Sequence, residues 1–298
     1  MNELHATQVG PARLEIAYER LGPDSGDTVL LIMGLGGQLV NWPAGLIDEL
    51  LARGLQVVRF DNRDAGRSTH LNDAPPAQLT AVLAGDLTSV SYTLSDMAAD
   101  AVGLLDALEI PAAHIVGASM GGAIAQIIAI EHPARILSLT SIMSTTGNMA
   151  VGQPHPEILK TVFGGPPART RDEVIDRAVR TAGLVRSPAY PSPAEEIARQ
   201  VGRAWDRDHD ERAMARQAVA SVASGDRTAA LRTIAVPTLV IHGTSDAICD
   251  ASGARATAAA IPGAELVLIE GMGHDLPPPV WPIVAEHIAN RGSTAVRS

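Results

Sequence analysis

The stretch Gly117-Ala118-Ser119-Met120-Gly121-Gly122 puts a serine between two glycines, each two positions away. A serine hydroxyl attacks a carbonyl carbon only when a base takes its proton and an acid orients that base. Here an apolar run, Ile115-Val116, leads into Ser119, and a helical pattern starts at Met120. In such a strand-to-helix turn the serine backbone is strained, and side chains at 117 and 121 would collide, so both positions need glycine. The turn lifts the Ser119 hydroxyl above the sheet edge, where the Met120 N–H at the positive end of the helix can stabilise an oxyanion. Gly-x-Ser-x-Gly arises by chance in many chains, and its placement between a strand and a helix is what carries information. A plain glycine-rich packing turn is the other reading, and it leaves that placement unexplained.

The partners are sought on the same sheet edge. His274 ends Gly271-Met272-Gly273-His274, just past an expected strand at 266–269, and Asp246 ends His242-Gly243-Thr244-Ser245-Asp246, just past one at 237–242. Chain order Ser, Asp, His is expected for a nucleophile turn of this kind. His5, His70, His132, His155, His209 and His287 fall at the terminus, in loops or within helices; His114 begins a strand at the wrong edge, and His242 reads as structural. Asp250 is the nearest rival acid, although a lone loop aspartate more often caps a helix. No Asp or Glu lies between His132 and His155, so the end of the preceding strand supplies none. The second oxyanion donor is expected in Met33-Gly34-Leu35-Gly36-Gly37-Gln38, with Leu35 N–H the favoured group and Gly34 or Gly36 its neighbours. Gly34, Gln38 and Trp42 are expected to line the substrate pocket.

These groups need a scaffold. Continuous apolar runs at 29–33, 55–60, 114–117, 136–142, 237–242 and 266–269 read as strands covered on both faces. Helical spacing separates them: Leu46, Ile47, Leu50 and Leu51 before Gly54; a stripe from Leu94 to Leu108 capped by Thr93 and Asp96; then 120–131 and 251–260. Val280, Ile283, Val284, His287 and Ile288 mark a last helix. The alternation predicts an α/β fold, a mostly parallel sheet with helices on both faces. Residues 147–232 break the rhythm with amphipathic stretches at 172–180 and 194–205. They are expected to form a helical lid inserted into a core made of 1–146 and 233–298, over the edge where open α/β sheets bind ligands. A second domain is the alternative, but the segment has few large apolar residues to build one.

Composition narrows the function. Of 298 residues, 46% are hydrophobic and 19% charged, as in a folded globular chain. A net charge of -10 disfavours nucleic acid and anionic membrane as partners and leaves small neutral molecules. The apolar runs are too short to insert in a membrane, and MNELHATQVG has no apolar core of a secretory signal, so a cytoplasmic protein is expected. Cys249 is the sole cysteine, which excludes an intrachain disulfide and a cysteine-based zinc site. With 3% aromatics, an apolar pocket must be lined by Leu, Ile, Val, Ala and Met. A homodimer stays open.

With these residues named, the chain resembles the α/β-hydrolase superfamily, and within it the bacterial carboxylesterase and lipase-like group that includes aclacinomycin methylesterase. The resemblance rests on MGLGGQLVNWP at 33–43, RFDNRDAGRS at 59–68, GASMGGAIAQ at 117–126, HGTSDAI at 242–248 and GMGHDLP at 271–277. It implies nucleophile, acid and base roles for Ser119, Asp246 and His274, and an oxyanion hole from Leu35 and Met120. Many relatives carry His-Gly where this chain has Met33-Gly34; the donor is a backbone group, so the hole is expected to persist with different support. Arg63 is read as buttressing the oxyanion loop, and Cys249 as a packing residue. The function implied is hydrolysis of carboxylic esters of small, largely apolar molecules through an acyl-enzyme, without metal or organic cofactor. Proline iminopeptidase, cofactor-free perhydrolase and carbon–carbon hydrolase chemistry can run on the same three residues, and a non-catalytic receptor on this scaffold is the alternative from another class. An iminopeptidase would need acids such as Glu195, Glu196 or Glu211 over the site.

Overall fold

The computed structural model describes residues 3–158, 160–161, 168–283, 285–286 and 288. Its strands are β1 (Leu4–Val9), β2 (Leu14–Leu21), β3 (Thr28–Ile32), β4 (Gln56–Phe60), β5 (Ala113–Ala118), β6 (Ile136–Ile142), β7 (Thr238–Gly243) and β8 (Glu265–Ile269). They form one sheet in the order β1-β2-β4-β3-β5-β6-β7-β8. Among the described residues every neighbouring pair from β4 to β8 is parallel, and the β1–β2 and β2–β4 pairs are antiparallel.

All five residues of β3 are buried, because both faces of the sheet are covered. Val29 and Leu31 point into one core with Trp42, Leu46 and Leu50 around α1 (Ala44–Leu51); Leu30 and Ile32 point into the other. That second core is filled by Met97 and Leu104 of α3 (Leu94–Ala107) and Ile124 of α4 (Met120–Glu131). Each such side chain contributes roughly 1.5–3 kcal/mol on burial, before the entropy of ordering is set against it. Helix α3 starts at a capping box: Asp96 N–H donates to Thr93 Oγ1 and Thr93 N–H to Asp96 Oδ2. A short α2 (Leu79–Leu83) precedes it.

Strands β3–β8 lie within one or two residues of the expected runs. The amino-terminal hairpin β1–β2 has no counterpart among those expectations. Strand β1 alternates two exposed residues with one buried, and β2 carries Glu19, whose carboxylate is buried against Arg59 of β4 at 2.8 Å. Polar residues satisfied across a ladder do not read as an apolar run.

Between β6 and β7 the described residues contribute helices: α5 (Pro156–Ile158), α6 (Arg171–Val185), α7 (Ala194–Trp205), α8 (Glu211–Ala223) and α9 (Thr228–Leu231). Helix α10 (Ser252–Ala260) links β7 to β8. Beyond β8, Pro278–Val280 form a 3-10 turn that leads into a helical stretch at 281–283; Val284 and His287, expected in the last helix, lie outside the described residues. Among the described residues no helix is long and apolar enough to cross a membrane.

Candidate active site

Ser119 follows β5 directly and is the residue from which α4 starts, with φ 55° and ψ −122°. For a residue with a Cβ this left-handed backbone costs on the order of 1–3 kcal/mol. The surroundings enforce it: a Cβ at Gly117 would fall on the carbonyl of Gly121, and one at Gly121 on the carbonyl of Ile32. Ser119 N–H donates to Ile142 O at 2.9 Å, tying the turn to the end of β6.

Three side chains from three loops meet at this edge. His274 Nε2 lies 3.1 Å from Ser119 Oγ, and His274 Nδ1 lies 2.7 Å from Asp246 Oδ2. The Asp246 side chain is fully buried, while that of His274 keeps 12% exposure. Asp246 Oδ1 accepts N–H groups from Ile248 at 3.0 Å and Cys249 at 2.9 Å, which fixes the plane of the carboxylate. Burial alone would push the Asp246 carboxyl up. Hydrogen bonds from His242 and His274, the charge of His274 and the Cys249 N–H outweigh it and hold the group far below the usual carboxylate range.

His242, read from sequence as merely structural, belongs to this cluster. Its imidazole is fully buried, with Nε2 2.6 Å from Cys249 O and 3.2 Å from Asp246 Oδ2. Both neighbours are acceptors, so the ring proton sits on Nε2 and His242 donates toward the carboxylate. The spacing of four residues in HGTSD is the signal that could have pointed to it. Asp250, the rival acid, faces elsewhere: its Oδ1 accepts from Ser252 N–H at the start of α10 and its Oδ2 from Gln153 N–H. Burial, reinforced by Asp246 and Asp250, pushes the Cys249 thiol well up, so it stays a protonated packing group.

The loop after β3 closes over the serine. A Cβ at Gly34 would lie 2.9 Å from Ser119 Cβ and 3.4 Å from its Oγ, so only glycine fits beside the hydroxyl. Gly36 N–H donates to Gln217 Oε1 at 2.8 Å and Gly37 N–H to Gly34 O at 3.0 Å. Gly36 is thereby removed as a free donor, and among the described residues Leu35 N–H and Met120 N–H have no protein acceptor.

Three expectations need correction. Gln38 is buried, and its amide is engaged by the β6–β7 segment: Nε2 donates to Ala204 O and Asp208 O, and Oε1 accepts from Arg207. Both amide hydrogens are used there, and the group is turned to that segment. Trp42 is 1% exposed and sits in the core with Leu46 and Leu239, lining no opening. The Arg63 side chain does not reach the loop after β3; it makes a two-pronged pair with Asp100 of α3 at 2.5 and 2.7 Å and lies over the Tyr92 ring. Only the Arg63 carbonyl is linked to that loop, accepting from Gln217 Nε2 at 2.7 Å. The loop is supported instead by Asn62, which donates to Met33 O at 3.0 Å, by Asp61, which accepts Leu39 N–H at 2.6 Å, and by Gln217. Side-chain direction within a turn is not set by sequence spacing, which is why all three misled.

The same motif anchors the β6–β7 segment. Arg207 reaches the buried Asp61 at 2.8 Å and Glu3 at 2.6 Å, and Arg216 of α8 grips Asp64 at 2.6 and 2.8 Å. Glu195, Glu196 and Glu211 lie exposed in the first turns of α7 and α8, where carboxylates complement the helix ends.

A sequence profile of the alpha/beta hydrolase fold matches residues 27–277. The rhodomycin D methylesterase of Streptomyces peucetius is 30% identical over 281 residues, covering 87% of this chain and 88% of that protein. Among solved structures, a hydrolase from Pseudomonas aeruginosa PA01 superposes with TM-score 0.69 at 24% identity, covering 100% of this chain and 99% of that one. The enol-lactonase from Burkholderia xenovorans LB400 does so with TM-score 0.70 at 22% identity, over 97% and 98% of the two chains. The fold and these likenesses together place the chain in the α/β-hydrolase family.

Proposed function

We propose that the protein hydrolyses carboxylic esters of small, largely apolar molecules through an acyl-enzyme on Ser119. The observation that carries this reading is the unbroken hydrogen-bond line from Ser119 Oγ through His274 to Asp246, at 3.1 and 2.7 Å. His274 Nε2 takes the hydroxyl proton as Oγ bonds to the ester carbon. Asp246, ionised by its four donors, holds the ring with Nδ1–H toward it and balances the imidazolium. The carbonyl oxygen, now an oxyanion, is received by Leu35 and Met120 N–H; losing one such donor typically costs about 10²–10³ in turnover. Collapse breaks the ester C–O bond, and the leaving alkoxide takes the proton from His274. Water, deprotonated by the same ring, then frees the acid and restores Ser119.

In this reading residues 147–232 are a helical cap that covers the site and selects the substrate, with Gly34 at the reacting centre. The name of the Streptomyces relative, a methylesterase, favours an ester over an amide. The exposed positions of Glu195, Glu196 and Glu211 give no support to an iminopeptidase.

Initial rates on short p-nitrophenyl esters test the proposal against Ser119→Ala. Turnover should fall to the uncatalysed background while the fold persists. Wild-type turnover in that variant refutes it, and faster cleavage of prolyl amides than of esters would replace ester hydrolysis with peptidase chemistry.

A further inference from the structure

The loop that carries His274 is bound on one side by the β6–β7 segment, and the bonds are numerous. His274 N–H donates to Val185 O at 2.8 Å, at the last residue of α6. Gly273 N–H donates to Ser187 Oγ at 2.9 Å. Ser187 in turn donates its N–H to Asp275 Oδ1 at 3.0 Å and its hydroxyl to the same oxygen. One residue pair further on, Ala189 N–H donates to Gly271 O at 3.2 Å. Residues 185–189 and 271–275 are thus zipped together on both sides of the histidine.

The packing is equally close. A Cβ at Gly273 would lie within 2.7 Å of Val185 O and press on the carbonyl of Arg186, and one at Gly271 would strike Ala189 Cβ. Both glycines of GMGHD are therefore explained by approach to this segment. The core contributes the other side: Ser245 N–H donates to Met272 O and Gly271 N–H donates to Thr244 Oγ1, each at 3.0 Å. Ser187 is 2% exposed, so its hydroxyl serves these protein groups and not solvent.

From this we infer that Ser187 and Asp275 are positioning residues for the reaction: the β6–β7 segment holds the base loop at the distance from Ser119 that proton transfer requires. The inference rests on the proposed role of His274. Asp275 takes both the N–H and the hydroxyl hydrogen of Ser187 and so fixes the direction in which the Ser187 oxygen meets Gly273 N–H, so the two act as one clamp. The segment is then part of the catalytic apparatus as well as a cover, and a displacement of residues 185–189 withdraws the base from the nucleophile. Misplacing a reacting group by about 1 Å costs up to roughly a hundredfold in rate.

The test compares wild type with Ser187→Ala, Asp275→Ala and Asp275→Asn in the full chain. Three readouts are taken: kcat and KM on a short p-nitrophenyl ester, the rate constant for phosphonylation by a fluorophosphonate, and the melting temperature. Phosphonylation reports the Ser119–His274 pair without the need for turnover. In the two alanine variants kcat and the phosphonylation constant should fall by about tenfold to a hundredfold, with KM within about twofold. Asp275→Asn keeps the acceptor oxygen and should recover most of the rate. Unchanged phosphonylation, or a rise in KM alone, would overturn the inference, as would an asparagine variant as slow as the alanine one. If Asp275→Ala does not fold, Ser187→Ala and Asp275→Asn decide the matter alone. Failure of wild type itself to react with the probe at Ser119 is a separate result that removes the proposed function, whereas normal wild-type labelling with unaffected variants removes only the clamp.

Discussion

His242 Nε2 stands 3.2 Å from Asp246 Oδ2, with both side chains fully buried, on the same carboxylate oxygen that faces His274. The Asp246 carboxylate is therefore held by two imidazoles and two backbone N–H groups. A carboxylate so supplied stays charged in a buried site, and its orientation is fixed.

Replacing His242 by alanine should leave KM near its starting value and lower kcat. A hydrogen bond to a charged group is worth about 1.5–3 kcal/mol, so the loss should be roughly tenfold to a hundredfold. Steady-state kinetics on a short ester decide it; unchanged kcat would make His242 a packing residue only.

Gly34→Ala should damage catalysis more than stability. The added methyl would lie 2.9 Å from Ser119 Cβ and 3.1 Å from Ala118 O, so the loop must retreat from the hydroxyl and carry Leu35 N–H with it. If Leu35 N–H is an oxyanion donor, kcat falls by about 10²–10³ while the protein still melts cooperatively. An active alanine variant would show that the loop has slack and that another donor serves.

Acid should erase the stabilisation that Asp246 provides. Its carboxyl is held below the ordinary range in the folded chain, so that contribution is fully present above the unfolded value of about 3.9 and is lost as pH falls through the folded value. Melting temperatures of wild type and Asp246→Asn should differ by a constant amount above about pH 5, and the gap should start to narrow below about pH 4 and keep narrowing on further acidification. A gap that widens on acidification contradicts the depressed carboxyl.

Much of this was legible in the residues. Apolar runs covered on both faces located six strands, and Gly117 and Gly121 announced the turn at Ser119, because sterics leave so few residues that fit there. Asp246 and His274 could be placed on the same edge, since loops after parallel strands all emerge at one end of the sheet. What escaped depends on contacts distant along the chain. The hairpin β1–β2 hides its burial in polar pairs such as Glu19 with Arg59. The turn at 38–42 directs Gln38 toward Arg207 and Trp42 into the core, a choice made by tertiary packing and not by spacing. The Ser187–Asp275 contact joins residues 88 apart, and no local pattern encodes it.

The central claim is that Ser119 is the nucleophile, and the most direct measurement is the intact mass after reaction with a fluorophosphonate, followed by peptide mapping. One adduct per chain located on Ser119, absent from Ser119→Ala and slowed by His274→Ala, is the predicted result. An adduct on another residue, or none in wild type, would contradict it.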